Sequence, residues 1–184
     1  MSDRLPAHVE TRRLLLRQPM TSDVADIVRE LGRWNVASRL GAVPYPYLPL
    51  HAWSWLGRQR KHRETGRDLA FIIALKDRPT RVAGGIGAHH VDGQRPVVGY
   101  WLAEPFWGRG LMGEAVEALL RAVFALQPAA TPIATSQVNN IGSRRVLEKC
   151  GFRRLPGRVM LSCAARGRKV ACVRYMKRSG TALS

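Results

Sequence analysis

Apolar and polar positions along this chain alternate with strand and helix periods in turn. Arg12-Arg-Leu-Leu-Leu-Arg17 reads as a first strand. Thr21-Ser22-Asp23 then caps a helix running to about Leu31, with Val24, Ile27, Val28 and Leu31 at helical spacing. Trp34 to Pro49 is rich in proline and aromatics; proline fixes φ and removes a donor, so the stretch reads as loop. Leu50 to Thr65 is a helix ended by Gly66, carrying Trp53, Trp55 and Leu56 and then a basic run. Leu69 to Leu75 is apolar on both faces, which predicts a central strand. Arg81–Val91 and Pro96–Ala103 complete an antiparallel meander with it.

After residue 104 helix and strand alternate. Leu111 to about Leu126 is an amphipathic helix: Met112, Ala115, Val116, Leu119, Leu120 and Val123 share one side. Pro132–Ser136 is a short strand. A capped helix follows from Asn140, closed by Gly151. Arg158–Ala164 and Lys169–Lys177 read as a closing hairpin. No repeat or second domain is visible. The pattern predicts one domain over residues 10–178, with tails at 1–9 and 179–184.

The chemistry concentrates where the strand 96–103 meets the helix 111–126. Phe106-Trp107-Gly108-Arg109-Gly110-Leu111-Met112-Gly113-Glu114 puts three glycines at a helix mouth. Uncovered N–H groups there form an anion site, usually for phosphate. A phosphate-binding P-loop needs Lys then Ser or Thr after the last glycine, and Glu114-Ala115 stand there instead. Gly108-x-Gly110-x-x-Gly113 also matches the dinucleotide fingerprint, but that fold wants an acid about 20 residues on. No Asp or Glu occurs between Glu117 and Glu148. A glycine turn with no ligand is the plain structural alternative.

Composition narrows the setting. No apolar run approaches the roughly 20 residues of a membrane span, and the N-terminus has no secretory h-region. Cys150, Cys163 and Cys172 show no metal or redox spacing, so no metal is expected, and an odd count fits reduced thiols in the cytoplasm. The formal charge is +17, and from Ala118 onward the chain carries 13 Lys or Arg against one acid, Glu148. Such a surface attracts anionic ligands, or ribosomal RNA, and argues against polycationic substrates. A merely soluble, arginine-rich surface explains the charge equally well, since no nucleic-acid motif accompanies it.

A second motif decides between these readings. Asn140-Ile-Gly-Ser143-Arg-Arg-Val-Leu-Glu-Lys-Cys-Gly151-Phe152 follows the glycine helix. Together with Gly99-Tyr100-Trp101-Leu102 and the glycine turn, it closely resembles the GNAT N-acetyltransferases. The nearest likeness is to the RimJ/RimL-like branch of ribosomal-protein N-terminal acetyltransferases. The likeness spans roughly residues 10 to 178.

The resemblance implies an α/β (α+β) fold: a mixed, strongly twisted sheet of six or seven strands with splayed central strands, flanked by about four helices. It implies acetyl-CoA as cosubstrate. Backbone groups of Trp101 and Leu102 would pair with the pantetheine. The N–H groups of Arg109, Gly110, Leu111, Met112, Gly113 and Glu114 would hold the pyrophosphate, with the Arg109 guanidinium adding a contact. Asn140 and Ser143 would lie near the thioester. Many members use a Tyr as general acid at the position of Leu147 here, which leaves Ser143 as the candidate acid. Glu104, His89 and His90, at strand ends, are candidate bases, and Tyr100 either lines the acceptor site or packs on the sheet. The acceptor would be an amine: a peptide N-terminus, such as a ribosomal protein's, or a small molecule. A low-turnover, ribosome- or RNA-associated protein is the alternative. Monomer and homodimer both remain open.

Overall fold

A computed structural model describes residues 5–178. Among these described residues nine strands form one sheet in the order β1-β2-β3-β4-β5-β6-β9-β7, with β8 also paired to β9. The strands are β1 (His8–Glu10), β2 (Leu14–Arg17), β3 (Leu69–Leu75), β4 (Gly84–His89), β5 (Val97–Leu102), β6 (Ile133–Gln137), β7 (Arg153–Arg154), β8 (Val159–Cys163) and β9 (Arg168–Met176). The expected six or seven strands become nine because β1 and β7, three and two residues long, are too short to show alternation. Of the stretch 1–9 expected as a tail, residues 1–4 lie outside the described residues, His8 and Val9 pair with Arg17 and Leu16, and Leu5 is buried. The expected tail 179–184 lies outside the described residues.

Among the described residues five α-helices flank the sheet: α1 (Val24–Leu31), α2 (Trp34–Ala37), α3 (Pro49–Glu64), α4 (Leu111–Leu126) and α5 (Ile141–Lys149). Thr21–Asp23 is a 3-10 turn leading into α1, fastened by Arg17, whose guanidinium grips the buried Asp23 carboxylate at 2.6 and 2.8 Å. The single turn α2 lies inside the stretch expected as loop; four residues cannot display a helical period.

Two apolar clusters occupy the two faces of the sheet. Alternation along β3 sends Leu69, Phe71 and Ile73 to one face and Ile72 to the other. The larger cluster includes the buried side of α4, where Ala115, Val116, Leu119, Leu120 and Val123 are wholly inaccessible. Burying one Leu is worth about 1.5–3 kcal/mol, so this side pins α4 and aims its N-terminus. The smaller cluster seats α1, α2 and α3 on the opposite face, through Ile27, Leu31, Val36 and Ala52. Trp53 on α3 stays half exposed, whereas Trp55 packs against this cluster.

The neighbouring strands are antiparallel except β5 and β6, which are parallel and joined through α4. That pair is where the sheet opens.

Candidate active site

β5 and β6 are matched only at Val97↔Ile133 and Val98↔Ala134. Beyond these, β5 runs on to Leu102 and β6 to Gln137, so the strands splay. Two bonds set the backbone alternation: Ile133 N donates to Pro96 O, and Ala103 N to Ala83 O, each at 2.9 Å. Period two then turns the main-chain groups of Tyr100 and Leu102 into the gap and those of Trp101 toward β4. Gly84 agrees, because a Cβ there would meet the Trp101 carbonyl oxygen. The expectation of two consecutive free backbone groups, Trp101 and Leu102, is therefore corrected to Tyr100 and Leu102. The Leu102 carbonyl also accepts from the Trp107 indole N–H at 2.6 Å. Side chains alternate oppositely. Tyr100 packs toward α4 and α5; Trp101 crosses Gly85 on the face of α1–α3, space that only a glycine leaves.

The glycine turn opens the same gap. Gly108 and Gly110 adopt φ of +74° and +73°, a backbone that L side chains avoid. Helical bonding begins with Glu114 N donating to Gly110 O at 3.3 Å. The N–H groups of Leu111, Met112 and Gly113 precede that bond and form the helix's anion-binding mouth. A Cβ at Gly113 would meet nothing within 4 Å, so the space before the mouth is open. Diphosphate fits such a cradle.

Two residues expected at the phosphates sit differently. The Glu114 N–H is used by the helix, and its carboxylate turns to the β1–β2 hairpin. It accepts from Thr11 Oγ1 at 2.6 Å, Arg13 N at 2.8 Å and Arg13 Nε at 2.7 Å. Burial pushes the Glu114 carboxyl up in pKa, but these donors outweigh it and hold it below its ordinary value. Arg13 also donates to the Arg109 carbonyl at 3.1 Å, so Glu114 and Arg13 brace the turn from behind. The Arg109 guanidinium lies 6.0 Å from the Phe106 ring centroid, and Arg109 does not line the cleft.

α5 supplies the opposite wall. Asn140 caps it, its Oδ1 accepting from Ser143 N at 3.2 Å. Ser143 Oγ lies 3.0 Å from the Tyr100 hydroxyl, which also reaches the Ser143 carbonyl at 3.2 Å. Burial drives the Tyr100 pKa far upward, partly opposed by the Ser143 bond, so the phenol keeps its proton at all ordinary pH. Leu147 is fully buried and offers no acid. Burial pushes the Cys150 thiol up to about 11, so it stays protonated.

The candidate bases are not in the cleft. His89 Nδ1 and His62 Nδ1 share Asp68 Oδ2 at 2.8 and 2.7 Å, and Asp68 Oδ1 accepts from His90 N at 3.0 Å. That cluster ties the end of α3 to β3 and β4, at the end of β4 remote from the glycine turn. Glu104 accepts from Asn35 Nδ2 at 3.2 Å and does not line the cleft either. From sequence alone a strand end reads as a cleft position, but a sheet has two ends and only one carries the turn.

The cleft, of about 1580 Å³, passes through the gap to the α1–α3 face. This exceeds the roughly 300–1,000 Å³ of a pocket for a drug-sized ligand. Its acids, Glu114, Glu117 and Glu148, all lie on α4 and α5. On the other face Val36, Leu40, Leu161, Ser162, Thr135 and Gln137 line it, with one charge among the described residues, Arg39. Arg39 follows α2 in a stretch with no local motif, and nothing in the sequence singles it out.

Comparison with known proteins agrees with this geometry. A family model described as the acetyltransferase (GNAT) domain matches residues 13–153. No curated protein matches the chain. Among solved structures, RimJ of Mycobacterium smegmatis, in complex with a CoA-disulfide, is 22% identical with a TM-score of 0.78, over 94% of this chain and 88% of that one. The ribosomal-protein-S5-alanine acetyltransferase of Vibrio fischeri is 18% identical with a TM-score of 0.80, over 96% and 98%. RimL, a ribosomal L7/L12 α-N-protein acetyltransferase solved with coenzyme A, is 18% identical with a TM-score of 0.79, over 93% and 97%. Likeness at such identity carries the fold, and the matched model carries the family. With the glycine mouth, the splayed strands and the capped α5 in one cleft, the chain belongs to the GNAT acetyltransferase family.

Proposed function

We propose that this enzyme moves the acetyl group of acetyl-CoA to a free α-amino group, that of a protein N-terminus, with ribosomal proteins as the leading acceptor class. One observation carries the reading. Among the described residues, the acceptor face of the cleft is lined by no carboxylate or imidazole, and its one charge is the cation Arg39. No group there takes a proton from an ammonium, so the amine must arrive neutral. An α-amino group, pKa about 7.7–8.0, is roughly one-third neutral at pH 7.5; a lysine amine, pKa about 10.4, is neutral about once in a thousand. The cation beside it lowers the amine's pKa further.

Acetyl-CoA supplies the thioester. The main-chain groups of Tyr100 and Leu102 orient its pantetheine, and the N–H groups of Leu111 to Gly113 hold its diphosphate. The amine nitrogen forms the new bond to the acetyl carbon as the carbon–sulfur bond breaks, and the excess proton leaves through water. Ser143 Oγ gives its proton toward the departing sulfur and takes one back from water, which balances the proton the amine releases; the Tyr100 hydroxyl, 3.0 Å away and too buried to ionise, holds the serine in place. That RimL is a ribosomal L7/L12 α-N-protein acetyltransferase, and the Vibrio fischeri protein a ribosomal-protein-S5-alanine acetyltransferase, supports the choice of acceptor. A net charge of +17 suits work beside the ribosome. The buried free thiols suit the cytoplasm.

The test is thiol release at pH 7.5 from acetyl-CoA with peptides bearing a free N-terminus, the same peptides N-acetylated but containing lysine, and small alkylamines. Release confined to free N-termini supports the reading. Equal release from lysine or alkylamines refutes it.

A further inference from the structure

Arg39 is held in place without a carboxylate. Its Nε donates to Asn35 O at 3.0 Å, its Nη1 to Asn140 Oδ1 at 3.2 Å, and its guanidinium carbon lies 5.3 Å from the Trp107 ring centroid. These contacts fix the plane of the guanidinium between the end of α2 and the cap of α5. Asn140 also caps Ser143, so Arg39 stands one residue away from the proposed acid. Three of its five N–H donors are left for other partners. Among the described residues it makes no ion pair, although most of the carboxylates in the fold are paired. Among the described residues it is the one charge lining the acceptor face of the cleft, and it is exposed.

A guanidinium fork fixed by a carbonyl, an amide and an indole is set up to receive a planar anion in two-point contact. Holding its plane beforehand lowers the entropy lost on binding. An incoming ammonium would be repelled, whereas an amine with a carboxylate a few bonds away would be drawn in and oriented. We infer that the acceptor carries a carboxylate close to its reacting amine, and that Arg39 is the residue that selects it. The inference rests on the acetyltransferase reading above. The carboxylate has two sources of the same chemistry: an acidic side chain within the first few residues of a protein, or the α-carboxylate of a free amino acid.

The experiment measures kcat/KM by thiol release for matched pairs. One arm uses peptides with Asp or Glu at position two or three against their Asn or Gln counterparts. The other uses free amino acids against their amides. Wild type is expected to favour the acid member of one arm at least ten-fold at low salt, and the responding arm names the source. Arg39→Gln should bring that ratio to within about two-fold of unity. Arg39→Lys should retain only part of it, since an ammonium lacks the fork. Calorimetry with acetyl-CoA accompanies each variant and shows whether it is folded. Equal rates for acid and amide in wild type overturn the inference alone and leave the acetyltransferase reading intact. A ratio that survives Arg39→Gln also overturns it, as does a ten-fold loss of acetyl-CoA affinity in that variant, which would place Arg39 on the donor. Acetyl-CoA binding with no release in either arm overturns both readings.

Discussion

Removing the Glu114 carboxylate should loosen the phosphate-binding turn from behind. In Glu114→Ala three donors lose their acceptor: the Thr11 hydroxyl, the Arg13 N–H and the Arg13 guanidinium. Hydrogen bonds to a charged group contribute about 1.5–3 kcal/mol each in mutational series. The Arg13 side chain is 38% exposed, so its ion pair counts for little. The other two bonds are part-buried and are not additive, which leaves about 2–3 kcal/mol for the clamp. At this chain length that lowers Tm by roughly 5–10 °C. The bond from Arg13 to the Arg109 carbonyl loses its support as well, so the turn must be ordered at the moment of binding. An acetyl-CoA affinity about ten-fold weaker, near 1.4 kcal/mol, is expected. Thermal unfolding and calorimetry measure the two effects, and a cycle with Arg13→Ala reads their coupling. The carboxyl is held below its ordinary value in the folded state, so its contribution is complete above the usual carboxylate range. It is lost as pH falls through the lowered value, and Glu114→Gln should flatten that acid limb. Wild-type Tm and wild-type acetyl-CoA affinity in Glu114→Ala would refute the bracing argument.

Gly110→Ala places a Cβ at φ +73° and should cost about 1–2 kcal/mol in unfolding experiments, with weaker acetyl-CoA binding by calorimetry. Ser143→Ala should lower kcat by roughly 10²–10⁴ with little change in acetyl-CoA affinity, and Tyr100→Phe less, because the phenol positions the serine hydroxyl and passes no proton itself; unchanged turnover in Ser143→Ala removes the acid role. Asp68→Ala strands three donors around a buried site and should destabilise by about 3 kcal/mol in urea, while kcat/KM per folded molecule holds within about two-fold. Burial raises the Asp68 pKa, but the His89, His90 and His62 donors overcome this and set it below its ordinary value. Its stabilisation therefore stands above the carboxylate range and disappears as pH falls through the lowered value.

Local pattern alone determined the elements whose physics is local. The bounds of β3 follow from an unbroken apolar run, those of α4 from apolar period, and the α5 cap from Asn140. The glycine mouth is legible because positive φ needs glycine at Gly108 and Gly110, and their spacing survives any packing. Short elements were not legible: β1, β7 and α2 span too few residues for a period to repeat. Which backbone groups face the gap was not legible either, since strand alternation needs a partner to set its phase; that phase moved the free groups from Trp101 to Tyr100. Only the tertiary structure separated the two ends of the sheet, carrying His89 and His90 to the Asp68 cluster and away from the chemistry. It also brought Arg39 within 3.2 Å of Asn140, across 101 positions of sequence. Contacts over such separations depend on how whole elements pack, and no local spacing encodes them.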